Sequence, residues 1–145
     1  MSRPFEECEL DGPFDAVIGS SVLHHLDVTV AIERMFALLK PGGRLSFAEP
    51  NYLNPQVFLE RKLRFIRPLF WYVSPDETAF VRWSFRRQLE DAGFDDVRIT
   101  PFDWLHPATP ETAIPLVRAV GRGLEAMPLA REFSGSLQIS ARRPR

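Results

Sequence analysis

The chain has 145 residues, 45% of them hydrophobic and 26% charged, with a formal net charge of −1. This is the composition of one soluble globular domain with its own core, and nothing in the net charge points to nucleic acid as a partner. A single cysteine, Cys8, excludes an internal disulfide framework and a multi-cysteine zinc site, so a reducing cytoplasm is the expected compartment. No apolar run reaches membrane-spanning length, and the polar start from Met1 to Glu9 has no signal-peptide core.

Residues 1–13 read as a polar, mobile leader ending in the turn signal Asp11-Gly12-Pro13. Phe14-Asp15-Ala16-Val17-Ile18-Gly19 follows as a short apolar strand that ends in glycine, with Ser20-Ser21 as a polar elbow. Asp27 is a good N-cap, because its carboxylate can accept from free backbone N–H groups at a helix start. Val28, Ile32, Met35, Phe36 and Leu39 then share one helical face, and Lys40 suits the C-terminal end of the helix dipole. Pro41-Gly42 fits a type II turn into a second short strand, Arg44 to Asn51. Two strands joined by one helix predict a right-handed βαβ unit of a parallel sheet. Ligands of such sheets sit beyond the carboxyl ends of the strands, here Gly19-Ser20-Ser21 and Glu49-Pro50-Asn51.

The second half is punctuated by many of the chain's thirteen prolines and is expected to hold several short elements. Over residues 53–73, Leu59, Leu63, Ile66 and Phe70 line one helical face and Glu60, Arg61, Lys62, Arg64 and Arg67 lie elsewhere, with Pro68 as a break. Three readings stay open for this segment: an ordinary amphipathic helix, a lid over an apolar acceptor, or a helix resting on a membrane surface. Ser74-Pro75-Asp76-Glu77 is a capping box, followed by the stripe Val81, Phe85, Leu89 and Ala92, with a possible break near Trp83-Ser84 and Gly93 as terminator. Val97 and Ile99 mark a strand ending at Pro101, and His106 to Pro110 form a rigid connector. Val117, Val120, Leu124 and Met127 mark a helix with Pro115 in or near its first turn and Pro128 as its end. Leu137, Ile139 and Ala141 alternate with polar residues in a last strand before the basic tail Arg142, Arg143 and Arg145.

Phe14-Asp15-Ala16-Val17, Leu23-His24-His25-Leu26 and Leu38-Leu39-Lys40-Pro41-Gly42-Gly43, in this order and spacing, resemble the second half of class I S-adenosylmethionine-dependent methyltransferases. Leu89 to Phe94 looks like that family's helix end before its sixth strand. The resemblance implies an α/β fold: the C-terminal half of a Rossmann-like methyltransferase sheet, with a βαβ unit followed by helices and a final antiparallel strand inserted beside the second strand of that unit. It divides the chain into the leader 1–13 and a partial methyltransferase domain over 14–145, with an amphipathic insertion at about 53–73. Thirteen residues precede Phe14, too few for the family's glycine-rich loop and the acidic residue of its second strand, so an incomplete cofactor half is expected.

The reaction implied is methyl transfer from S-adenosyl-L-methionine to a small-molecule acceptor, incomplete in this chain, with a non-catalytic binding or assembly subunit, or an inactive truncated gene product, as the alternatives. By resemblance, Gly19, Ser20, Ser21 and His24 lie at the cofactor, and Glu49, Asn51 and Tyr52 lie where the family meets its acceptor. His25 is the candidate catalytic base, set against a structural or cofactor-edge role. Adjacent His24 and His25 cannot share one face, which argues against a metal site. Expected partners are a small acceptor of hydrophobic character, no nucleic acid, a peripheral membrane contact under the third reading of 53–73, and self-association or a partner chain across the Phe14–Gly19 edge.

Overall fold

The computed structural model describes Phe5 and residues 10–62, 79–106 and 108–145. Four strands form one sheet: β1 (Phe14–Ser20), β2 (Leu39–Pro50), β3 (Asp95–Phe102) and β4 (Ser136–Arg142), in the spatial order β1-β2-β4-β3. β1 and β2 run parallel, and β4 runs antiparallel to both β2 and β3. The last strand is therefore inserted between β2 and β3, as the resemblance implies. β1, β2 and β3 all point the same way, so their carboxyl ends share one edge of the sheet.

Helix α1 (Val28–Leu38) joins β1 to β2 and begins where expected: Asp27 Oδ1 accepts from Thr29 N (3.1 Å) and Val30 N (3.2 Å). Leu45, Phe47 and Glu49 of β2, Leu137, Ile139 and Ala141 of β4, and Val97 and Ile99 of β3 alternate onto one buried face. That face packs under Ala31, Ile32 and Met35 of α1 and Phe85 and Leu89 of α3 (Arg82–Asp91). The opposite face carries Arg44, Ser46, Gln138, Ser140 and Arg142 and is not buried.

Several expectations are corrected. Lys40 does not end a helix. It is already in β2, where Nζ donates to both carboxylate oxygens of Asp15 at 2.9 Å. Gly42 has φ of +82°, the left-handed conformation the turn required, and the register to β1 jumps there from Phe14↔Leu39 to Ala16↔Arg44. No helix runs through residues 79–81: Phe80 N donates to Pro50 O and Tyr52 N to Phe80 O, which builds a bridge to Asn51. α3 then starts at Arg82, without a break at Trp83-Ser84. β3 runs one residue past Pro101, which an edge strand tolerates because half of its N–H groups make no ladder bond.

Helix α2 (Pro55–Lys62) covers the described part of the 53–73 segment, and here the buried side chain is Glu60 while Leu59 is exposed. Residues 63–78, including the Ser74 capping box, lie outside the described residues, as does Cys8. The leader is represented by Phe5, which packs against the core beneath the Arg34 guanidinium, 5.8 Å from the ring centroid. Helix α4 (Ile114–Glu125) carries Pro115 in its first turn, and Pro128 opens a further short helix, α5 (Pro128–Arg131), rather than only ending α4. Val120 of α4 and Met127, which lies past the end of α4 at the start of α5, stay exposed; the face of α4 that packs is Gly121 against Trp104.

Candidate functional site at the carboxyl edge of the sheet

At the end of β1 the chain must leave the sheet sharply. Gly19 permits this because a side chain there would collide with the Phe47 ring and with Val22 Cγ1. Its requirement for glycine comes from β2 and the loop. Ser21 then takes φ of +51°, a left-handed conformation that is unfavourable for a residue with a Cβ. It is held by the bond from its N–H to Ala48 O at 2.8 Å. Leu23–His25 form a single 3-10 turn.

The loop is fastened from beneath by Glu49, which is 1% exposed. Oε1 accepts from Val22 N (3.0 Å) and Leu23 N (2.8 Å), and Oε2 lies 2.7 Å from His24 Nδ1. A carboxylate that already receives two N–H groups is an acceptor, so the proton of this contact belongs on His24 Nδ1. His24 is itself buried, and its ring lies against that of exposed His25, tilted by 41° with centroids 4.1 Å apart. One buried carboxylate thus sets the loop that presents Ser20, Ser21 and His25 to solvent at the sheet edge.

Asn51 is also buried, and its amide clips the β2 end to the segment before β4: Nδ2 donates to Glu132 O (2.9 Å) and Ser134 O (2.8 Å). Oδ1 accepts from Leu53 N at 3.1 Å. Of the three residues expected at the acceptor, Glu49 and Asn51 turn inward, and only Tyr52 is partly open, stacked edge-on to Phe58 at 5.4 Å. Glu49 and Asn51 shape this edge through the groups they hold.

A second buried carboxylate escaped sequence reasoning. Glu60 Oε1 receives Gln56 Nε2 at 3.0 Å and lies 3.3 Å from His106 Nε2. His106 Nδ1 accepts from Ala108 N at 3.1 Å, so His106 carries its proton on Nε2, toward Glu60. His106 borders a cavity of about 300 Å³ together with Leu105, Thr109 and Ile114, beyond the carboxyl end of β3. The pair ties α2 to the loop after β3. The two residues stand far apart in sequence, and no local pattern signals the contact.

Among the described residues no group of His, Cys, Asp and Glu is arranged to hold a metal ion, and no helix is long and apolar enough to cross a membrane. The fold matches solved methyltransferases. An S-adenosylmethionine-dependent methyltransferase from Archaeoglobus fulgidus is 20% identical over 92% of this chain and 61% of its own, with a TM-score of 0.58. A possible histamine N-methyltransferase from Thermotoga maritima is 16% identical over 95% and 60%, with a TM-score of 0.64. A putative methyltransferase of Haloferax volcanii, solved in complex with the Trm112 activator, is 22% identical over 97% and 59%, with a TM-score of 0.62. The chain therefore spans about three fifths of the length of these structures. No curated protein matches it significantly. The model of a methyltransferase-domain family matches residues 2–99, two thirds of the chain and the whole of the β1–α1–β2 unit with its Glu49 clamp, and the chain belongs to that family.

Proposed function

We propose that this chain forms one wall of an S-adenosylmethionine site and the acceptor side of a methyl transfer to a small molecule. The observation that carries the reading is the Glu49 clamp, which holds the Ser20–His25 loop at the carboxyl edge of β1. The residues present fit one wall of such a site: Ser20 and Ser21 are small and exposed, and the backbone around them is fixed by Ala48 and Glu49. When bound, the cofactor supplies an electrophilic methyl group on a sulfonium. Gly19, Ser20 and Ser21 line its near side, and His24 sets the height of the loop through Glu49. His25 is the exposed imidazole of this wall, the side-chain type able to take a proton from an acceptor near neutral pH. Tyr52 and Phe58 offer an aromatic surface to an acceptor of hydrophobic character. Alignment of donor and acceptor is the main catalytic requirement in such a transfer, so a rigid loop is the protein's chief contribution.

The exposed edge of β1 favours a second element of the reading, a further strand completing the sheet. Ile18 is 77% exposed, and no residue of β1 is fully buried. The test is transfer of a labelled methyl group from S-adenosylmethionine to a panel of small amines, phenols and acids. The isolated chain should show weak cofactor binding by calorimetry and little turnover. Supplying a complementary strand-and-loop half from a related methyltransferase should produce turnover that Ser21→Pro abolishes. Micromolar cofactor binding by the isolated chain would overturn the one-wall reading. Turnover insensitive to Ser21→Pro would overturn the placement of the cofactor.

A further inference from the structure

The opposite pole of the sheet, where β2 begins and β4 ends, carries an unexplained charge arrangement. The register sets Arg44 directly across from Arg142, on the open face of the sheet. Like charges in directly opposed positions are destabilising. Arg142 is compensated from its other side, where Nε and Nη2 bind the two oxygens of Asp95 at 2.8 and 3.0 Å. Arg44 is not well compensated. Its one ion pair among the described residues is with Asp96, at 3.9 Å, and Asp96 already holds Arg98 at 2.9 Å. Arg145 lies over the Gly42 turn, and among the described residues it has no ion pair. Arg44, Arg142, Arg145 and Lys40 border one cavity of about 370 Å³, floored by the Pro41-Gly42-Gly43 turn, with Asp15 as the one acidic side chain of its lining. Asp15 is occupied by Lys40. In a chain of net charge −1, this is a local concentration of cations.

We propose that this cavity binds a small ligand carrying two linked or closely spaced phosphate groups. Guanidinium groups match phosphate oxygens in paired hydrogen bonds, and several converge here at the size of a small-molecule site, which is typically about 300–1,000 Å³. An anion between Arg44 and Arg142 removes the cross-strand repulsion and gives Arg145 a partner. The cavity is distinct from the methyl-transfer edge: Arg44 precedes Glu49 by five residues on β2, a separation of roughly 17 Å along an extended strand. The proposal does not depend on the reading of that edge.

The test is calorimetry with inorganic pyrophosphate at constant ionic strength. Arg44→Gln and Arg145→Gln should each weaken binding by about tenfold or more, the scale of one lost charge-assisted contact. Arg98→Gln, an exposed arginine on β3 outside the cavity, should change it less than about twofold. Backbone amide resonances of Gly42 and Gly43 in the unmutated chain should shift on titration, a readout that needs no variant. No binding at millimolar pyrophosphate overturns the proposal. So does equal weakening by Arg98→Gln, which would mean a diffuse field, or competition by S-adenosylmethionine, which would put the anion at the other edge. Tighter binding of a short RNA with the same sensitivity to Arg98→Gln also overturns it.

Discussion

Glu49 does more than any other single residue to set the site. Its carboxylate serves two backbone N–H groups and one imidazole, all across more than twenty residues of sequence. Glu49→Ala removes the acceptor of three donors, those of Leu23 and His24 buried and that of Val22 part-buried, and each buried orphaned group costs about 1–3 kcal/mol. Chemical denaturation should therefore show a loss of about 3 kcal/mol or more, whereas Glu49→Gln, which keeps one oxygen for Val22 and Leu23, should lose clearly less. Equal losses would mean that the clamp is not what holds the loop. Sequence reasoning could see that a polar residue ended β2 at the ligand edge. It could not see the inward turn of Glu49 or Asn51, because both partners are fixed by strand register and loop path, which no local pattern encodes. Asp95 gives a separate test at this scale. Its hydrogen bonds from Arg142 hold its carboxyl below the usual carboxylate range, helped by the charges of Arg142 and Arg44 and partly opposed by desolvation. A carboxyl lowered in the folded state contributes stability that is present above its unfolded value and lost as pH falls through the folded one. Asp95→Asn should thus be less stable than the parent at neutral pH, and the gap should close in acid when unfolding is measured across that range.

At the scale of elements, the sequence was most readable where side-chain period and caps agreed. Asp27 capped α1 as expected, and the Val97, Ile99 and Leu137, Ile139, Ala141 alternations became β3 and β4. It was least readable where tertiary pairing overrode local pattern. Lys40 and Pro41 look like a helix end and a turn, yet they lie within β2, in the irregularity between the Phe14↔Leu39 and Ala16↔Arg44 pairs. Val81 reads as part of an apolar helical stripe, yet it stays extended beside the Phe80 bridge to Asn51, and α3 begins only at Arg82. The α4 stripe signalled a helix correctly but not its packed face, because the packing is made by Gly121, a residue with no hydrophobic signal of its own. Two substitutions test the packing that carries the site. Leu89→Ala, in a fully buried position of α3, should cost about 2–5 kcal/mol in thermal or chemical unfolding. Gly19→Ala should cost about 1–3 kcal/mol by forcing the new methyl against Phe47, and should also displace the Val22 end of the loop. A neutral result at Gly19 would show that the β1 exit is free to move.

At the scale of the whole molecule, the described residues cover the sheet on one face and leave it open along β1. Among the described residues, the order β1-β2-β4-β3 leaves β1 as an outer strand with no partner along its free edge, and Ala16-Val17-Ile18 has no lysine or proline to deter pairing. The chain is therefore expected to self-associate or to bind a partner strand there. Val17 points toward the core, so the cleaner probe is Ile18, which faces the open side. In sedimentation velocity at several concentrations, Ile18→Lys should reduce association while leaving the folded signature intact. A parent chain that stays monomeric at all concentrations would remove this expectation.

The claim at the centre of the account is that the clamped loop from Ser20 to His25 is the cofactor-facing surface. The direct measurement is a backbone NMR titration of the isolated chain with S-adenosylhomocysteine, which reports weak binding residue by residue. Shifts should concentrate on Ser20, Ser21 and His25 and disappear in Glu49→Ala at the same ligand concentrations. Binding that shifts other residues and leaves Ser20–His25 unchanged, or that persists at this loop without Glu49, would contradict the account.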